Sequence, residues 1–205
     1  MSQQFRVATP ADVPGLARTM AAAFETDPVW GAYSFPDDDR RRAQLEAFWA
    51  PQLLAAMRFA WTLVTPGCEA GAVWIPPGEV ELTSEQEREV VELTSELVGP
   101  QQATVIFDVF AALDAAHPHD PPHFYLSLLG THTDHRGSGL GMGLVASSLG
   151  RIDELGMPAY LESTNPANDA RYARHGFEPV GVVELENGRR ITTMWRPAGQ
   201  GGPII

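Results

Sequence analysis

The spacing of hydrophobic and polar residues predicts a strand and then an amphipathic helix at the start of the chain. Residues 5–8 form a short strand-like run, and Thr9 followed by Pro10 is typical of a helix cap and first helical residue. Apolar residues then recur at helical spacing: Val13, Leu16, Ala17, Met20 and Phe24. We expect this helix to pack one face against the core.

A second helix is predicted after the acidic residues 37–39. Leu45, Phe48 and Trp49 lie on one face of it. Pro51 is expected to kink or break this helix, because proline lacks an N–H and its ring clashes with the preceding turn.

Residues 78–122 have a helical pattern and form an insertion between strand-like segments. Ser84 and Glu87 have the spacing of a capping box, and a further helix is predicted over about 101–116. We expect this helical insertion to cover one side of any active site.

The remaining pattern alternates strands with helices. Strand-like runs occur at 59–64, 70–75, 123–131, 158–163, 178–185 and 190–195. Turn signals join the first two and the last two of these: Thr65-Pro66-Gly67 and Asn187-Gly188. Helices are predicted over about 140–155 and from Asn165 to Gly176. Together these elements predict a mixed α/β fold with a single domain over residues 1–198 and a loose tail at 199–205.

Composition narrows the classes of function. The 205 residues carry a net charge of −12, which disfavours a nucleic-acid partner and suits a small cationic substrate, although acidity alone also keeps a protein soluble. No apolar run is long enough for a membrane helix. The N-terminal residues lack a signal-peptide pattern, and Cys68 is the single cysteine, so we expect a cytoplasmic protein without a disulfide.

The strand at 123–130 ends at Gly130 and leads into the glycine-rich segment 136–141, Arg-Gly-Ser-Gly-Leu-Gly, where a helix begins. Glycines allow a sharp turn, and free N–H groups at a helix start bind phosphate. Two other interpretations remain at this point. One is a tight turn with no ligand. The other is a dinucleotide site in which Glu162, 21 residues after Gly141, would bind ribose, although too few strands follow for a doubly wound sheet.

Two motifs resemble the GNAT superfamily of N-acetyltransferases. Their residues are Arg136, Gly139 and Gly141 in the first, and Asn165, Tyr172, Gly176 and Phe177 in the second. Within the superfamily the chain is most similar to the puromycin-acetyltransferase-like branch, on Gly130-Thr131, residues 160–163 and Met194-Trp195.

The resemblance implies a twisted, mainly antiparallel sheet with helices on both faces. Strands at about 123–130 and 158–163 would splay apart to admit acetyl-CoA as cosubstrate, and no metal is expected. The coenzyme-binding residues that it implies are Leu129, Gly130, Thr131, Arg136, Gly137, Ser138, Gly139, Leu140, Gly141, Met142, Gly143, Asn165, Asn168 and Tyr172. Gly130 suits a bulge or a close backbone approach.

Direct acetyl transfer to a primary amine would need an acid and a base. Tyr172 is the candidate acid, because a phenol can donate to the departing thiolate. The base is drawn from Glu162, Tyr125 or His123. Strand alternation places His123, Tyr125 and Ser127 on one face.

The acceptor is expected to be the amine of a small molecule or peptide. An aminonucleoside, a polyamine, an amino acid and a protein N-terminus all remain open. The aromatic segment 24–35 supplies Asp27, Trp30 and Tyr33 as candidate substrate-binding residues. The protein is expected to be a monomer or homodimer.

Two further interpretations concern the whole protein and one histidine-rich segment. The protein could instead be a non-catalytic coenzyme A-binding sensor or interaction module. The segment that contains His117, His119, Asp120 and His123 is interpreted as a solvated loop, with a place at the edge of the substrate cleft left open, rather than as a metal site, because prolines interrupt it.

Overall fold

The order of helices and strands follows the sequence pattern closely. The computed structural model describes residues 5–186 and 188–199. In chain order the elements are β1 (Arg6–Val7), α1 (Val13–Phe24), α2 (Arg41–Ala56), β2 (Thr62–Val64), β3 (Ala70–Ile75), α3 (Ser84–Val98), α4 (Pro100–Ala116), β4 (Phe124–Thr131), α5 (Leu140–Glu154), β5 (Ala159–Ser163), α6 (Asp169–Ala173), β6 (Glu178–Glu184) and β7 (Arg190–Arg196). Short 3-10 turns precede α1, α5 and α6. The fold is therefore the mixed α/β type that the sequence predicts.

The described strands form one open sheet in the order β1-β2-β3-β4-β5-β7-β6. Neighbouring strands are antiparallel except for β4 and β5, which are parallel and are connected through α5. A doubly wound dinucleotide fold requires a mostly parallel sheet, so this topology does not support the dinucleotide interpretation of the glycine turn.

Helices cover both faces of the sheet. On one face α1, α2 and α4 bury Leu16, Phe48 and Ile106 in a single apolar cluster. On the other face α5 buries Leu144 and Ile152 beside the inner residues of β3, β4 and β5. The insertion formed by α3 and α4 is thus part of the main core and not a separate cap.

Two helix details differ from the sequence prediction. The cap of α3 is Thr83, whose hydroxyl accepts a hydrogen bond from the N–H of Gln86, so the predicted Ser84–Glu87 box is displaced by one residue. Helix α2 continues through Pro51 to Ala56, so Pro51 does not break it, and a kink at this residue stays a prediction. Phe48 and Trp49 before the proline and Leu53 after it are all buried, which favours a continuous helix.

The outer limits of the fold match the prediction in part. Strand β2 begins at Thr62, three residues later than expected. Asn187 of the predicted hairpin and residues 200–205 of the predicted tail lie outside the described residues.

No described helix has both the length and the hydropathy needed to cross a membrane.

Candidate active site

Strands β4 and β5 pair at one end and separate at the other. Their pairing covers Phe124–Leu126 on β4 and Ala159–Leu161 on β5. Within the described sheet, residues 127–131 have no partner on β5, while Glu162 and Ser163 pair only with β7. The sheet therefore has a V-shaped opening between β4 and β5, as the sequence resemblance implies.

A β-bulge lies where the opening begins. Leu128 pairs with Val73 and Leu126 pairs with Trp74, so Ser127 is the extra residue on β4. The bulge lets both Ser127 and Leu128 face the same side of the sheet as Tyr125. The predicted common face of His123, Tyr125 and Ser127 is confirmed, because all three line one cavity.

The glycine-rich loop makes the turn that its sequence requires. Gly137 and Gly139 have φ of 81° and 79°, a region that side-chain-bearing residues rarely adopt. Gly139 is the N-cap residue of α5 and has no side chain to occupy the free N–H groups that follow it. A Cβ added at Gly141 would lie 2.9 Å from Thr131 Oγ1, so α5 begins against the end of β4.

Side chains around this loop have structural partners. The guanidinium of Arg136 donates to the carbonyl of Ala23 at 2.8 Å and ties the loop to the end of α1. A Cβ added at Gly130 would lie 2.5 Å from Met20 Sδ, so the absence of a side chain at Gly130 lets α1 pack closely against β4. Of the two expected roles of Gly130, close approach holds and the bulge does not. The loop thus offers mainly backbone N–H groups to a ligand.

The second motif positions Tyr172. Asn165 Oδ1 accepts from the N–H of Ala167 at 3.1 Å and caps the 3-10 turn before α6. Gly176, at φ 88°, follows the end of this helix. Tyr172 is 8% exposed and contacts Phe177 edge-on. Burial, with a smaller contribution from the charge of Asp27, raises the pKa of Tyr172 well above its usual value. The phenol is therefore protonated at neutral pH.

A cavity of about 730 Å³ lies on the sheet face that α3 and α4 cover. Its carboxylates are Glu79, Glu81, Glu87, Asp114 and Glu162, and none of its described lining residues is lysine or arginine. Val90, Phe107, Phe110 and Leu113 supply apolar walls. The cavity is large enough for a small organic ligand, and its charge favours a cation.

Glu162 lies at the closed end of the V. Its side chain is 4% exposed, and its Oε2 accepts a hydrogen bond from Tyr125 Oη at 2.6 Å. Its other oxygen, Oε1, is buried and receives no hydrogen bond from a described residue, while His117 Nδ1 lies 3.5 Å away. Burial raises the pKa of Tyr125, and the charge of Glu162 raises it further, so Tyr125 is a hydrogen-bond donor and not a base at neutral pH.

Several solved structures have a fold similar to that of this chain. No family model matches the chain. A Corynebacterium glutamicum structure described as histone acetyltransferase HPA2 and related acetyltransferase aligns over 100% of both chains at 24% identity, with a TM-score of 0.69. Arylalkylamine N-acetyltransferase 2 from Aedes aegypti covers 95% of this chain and 98% of its own at 12% identity, TM-score 0.63. An agmatine N-acetyltransferase covers 94% and 97% at 15% identity, TM-score 0.59.

The fold is that of the GNAT acetyltransferases. The fold class predicted from the sequence is therefore confirmed. The more specific resemblance to the puromycin-acetyltransferase-like branch stays a prediction.

In this GNAT fold the histidine-rich segment is partly buried. His123 is 8% exposed, its Nδ1 donates to the carbonyl of Pro121 at 2.8 Å, and its Nε2 lies 3.1 Å from His117 Nε2. Both rings contact Tyr160. The solvated-loop interpretation is wrong for these two histidines, since the end of α4 folds against β4, and it holds for the exposed His119. No group of three or more His, Cys, Asp or Glu in the described residues could hold a metal ion.

Sequence reasoning missed Glu81. The hydroxyl of Ser127 at the bulge donates to the Glu81 carboxylate. Burial raises the pKa of Glu81, and the hydrogen bond from Ser127 opposes this shift. Glu81 lies in an irregular segment between β3 and α3, where no periodic pattern singled it out.

The three candidate substrate-binding residues lie elsewhere in the GNAT fold. Asp27 Oδ1 accepts from the N–H groups of Val29 and Trp30, at 2.9 and 3.0 Å, and its Oδ2 accepts from Thr164 Oγ1 at 2.8 Å. Trp30 is 5% exposed in the aromatic core, and the Arg189 guanidinium lies over the Tyr33 ring. None of the three lines the acidic cavity. Asp27 instead connects the segment after α1 to the end of β5.

Proposed function

We propose that the protein is an acetyl-CoA-dependent N-acetyltransferase that transfers an acetyl group directly to a primary amine. The observation that carries the proposal is the V between β4 and β5, which has a glycine-rich helix start on one side and the Glu162 carboxylate on the other. Such an opening lets the coenzyme and the acceptor approach one point from opposite faces of the sheet.

The coenzyme would bind along β4 and the start of α5. The unpaired backbone of Leu129–Thr131 would hydrogen-bond the pantetheine arm as an additional strand would. The N–H groups at Leu140, Gly141 and Met142, together with the helix dipole, would bind the pyrophosphate. Asn165 and Asn168 would shape the end of the cleft through the turn that they form.

Glu162 is the base that the geometry favours. An alkylamine with a pKa of about 10.4 is neutral in only about one molecule in 2,500 at pH 7, so its proton must be removed. Oε1 of Glu162, which receives no hydrogen bond from a described residue, can accept that proton directly or through a water molecule. Burial lowers the pKa of His123, which disfavours protonation of its ring, and its Nε2 faces His117 and not Glu162, so His123 is the weaker candidate base.

Tyr172 would act on the leaving group. The amine nitrogen bonds to the acetyl carbon, the carbon–sulfur bond breaks, and the electron pair leaves on sulfur. A coenzyme thiol with a pKa of about 8.5 is a stronger acid than the buried Tyr172 phenol. Tyr172 therefore serves as a hydrogen-bond donor that stabilises the thiolate more than as a permanent proton donor.

The named relatives support a small amine as acceptor, since two of them are an agmatine and an arylalkylamine N-acetyltransferase. The experiment is incubation with acetyl-CoA and a broad amine panel, with mass-spectrometric detection of the acetylated amine. Product that requires both acetyl-CoA and the protein supports the proposal. Coenzyme binding without any product would favour the non-catalytic coenzyme A-binding module.

A further inference from the structure

The carboxylates of the cavity differ in exposure along its depth. Glu162 is buried and Glu81 is half-buried, whereas Glu79, Glu87 and Asp114 are exposed. The exposed three, which we term the rim carboxylates, belong to the segment after β3, to α3 and to α4, and all line the same cavity. Negative charge is therefore present at both the buried and the open end.

The walls between these ends are apolar. Val90 on α3 and Phe107, Phe110 and Leu113 on α4 line the cavity. A ligand that spans the cavity would thus place an uncharged segment between two negatively charged regions. An anion or a strongly polar chain would be disfavoured along these walls.

Two basic residues act on the Glu81 carboxylate, His117 and Arg58. The guanidinium of Arg58 donates its hydrogen bonds to the backbone carbonyls of Val80 and Glu81 and lies over the Phe59 ring, so it forms no ion pair with a cavity carboxylate in the described residues. At the buried end, Glu162 Oε1 receives no hydrogen bond from a described residue. His117 Nδ1 lies 3.5 Å from this oxygen without a hydrogen bond to it, so Oε1 can accept a hydrogen bond from a ligand that enters the cavity.

We propose that the acceptor is a dicationic amine with an apolar spacer, whose reacting amine lies at Glu162 and whose second cation lies between the rim carboxylates. This inference rests on the proposed function and specifies its substrate class. Glu81, hydrogen-bonded to Ser127, would support the reacting end. The second charge adds binding without taking part in acetyl transfer.

The test compares three diamines, diaminobutane, diaminohexane and diaminooctane, with the alkylamine of the same length in each case. For at least one spacer the wild type should show a diamine kcat/KM about tenfold above that of the monoamine. This ratio includes the factor of two for two equivalent amines. The preference should decrease with added salt, since exposed charges are screened.

The variant that removes the rim charge is Glu79→Gln, Glu87→Gln, Asp114→Asn. It should lower kcat/KM for the preferred diamine about fivefold, since the factor of two for two amines remains, and leave the monoamine within about twofold. The matched control is Glu85→Gln, Glu89→Gln, Glu92→Gln, which removes the same number of exposed charges from α3 without touching the cavity. The control should keep the wild-type ratio.

Equal kcat/KM for diamines and monoamines, or an equal loss for both in the rim variant, would overturn the inference while the acetyltransferase proposal stands. Absence of any acetylated amine from the broad panel would remove the proposed function and the inference with it. Affinity for acetyl-CoA, measured on each variant, verifies that the variants are folded.

Discussion

The hydroxyl of Tyr125 donates a 2.6 Å hydrogen bond to Glu162 across the point where β4 and β5 separate. Tyr125 pairs with Tyr160 in the sheet, and Glu162 is two residues further along β5 and therefore on the same face. The bond fixes one carboxylate oxygen and leaves the other without a hydrogen bond from a described residue. A buried carboxylate held in this way is suited to accept a proton from an amine.

Glu162→Gln should lower kcat/KM about 100-fold at pH 7, because the amide cannot accept the amine proton. The difference in kcat/KM between the wild type and the variant should become smaller toward pH 9.5, because more of the amine is already neutral there. Steady-state rates over this range, with the best amine of the panel, provide the measurement. Wild-type activity of the variant at pH 7 would exclude Glu162 as the base.

Tyr125→Phe should lower kcat about tenfold, because Glu162 loses the donor that orients it. If the two residues act as a unit, the double variant with Glu162→Gln should be no slower than Glu162→Gln alone. A double-mutant cycle on kcat tests this expectation. Multiplicative losses would show that the two side chains contribute independently.

Tyr172→Phe should lower turnover at least tenfold while the affinity for acetyl-CoA changes little. The phenyl ring keeps the contact with Phe177 and removes only the hydroxyl. Single-turnover rates and calorimetric affinities measured on the same preparation separate the two effects. Equal turnover in the variant would remove Tyr172 from the mechanism.

Asp12→Asn should lower the free energy of unfolding by about 1–2 kcal/mol at pH 7. The Asp12 carboxylate accepts from the N–H of Thr9 and from the partly exposed Arg6 guanidinium, which holds its pKa far below the usual range. Because the pKa of Asp12 is lower in the folded state than its unfolded value of about 3.9, the ionised carboxylate stabilises the fold above about pH 3.9. This stabilisation is lost as the pH falls from there toward the folded pKa. Denaturant titrations should therefore show the difference shrinking from about pH 4 to pH 2, whereas a constant difference would contradict this.

The features predicted well from sequence depend on local signals. The glycine turn at 136–141 and the helix after it are encoded within about 20 residues, and the structure shows both. The cap at Thr83 was missed by one position because Ser84 beside it is an equally suitable cap residue, and only the hydrogen bond to Gln86 distinguishes them. The local rule for proline does not tell a kink from a break, and Pro51 does not break α2, where Leu53 beyond it is fully buried.

The features that sequence could not supply depend on distant partners. Ser127 and Glu81 are 46 residues apart, and Asp27 and Thr164 are 137 residues apart. His117 was interpreted as part of a solvated loop, because nothing near it in the chain indicates that it contacts Glu162. Long-range pairing of this kind becomes visible only once the sheet and the helical insertion are assembled.

Calorimetric titration with acetyl-CoA, with NADH as the control ligand, tests the central claim most directly. The variant Gly139→Asp places a side chain and a negative charge at the φ 79° residue that begins α5. Gly150→Asp adds the same charge on an open face of the same helix and serves as the matched control. We expect the wild type to bind acetyl-CoA with micromolar affinity and not to bind NADH, and we expect acetyl-CoA binding to be lost in Gly139→Asp and kept in Gly150→Asp. Absence of acetyl-CoA binding by the wild type would contradict it.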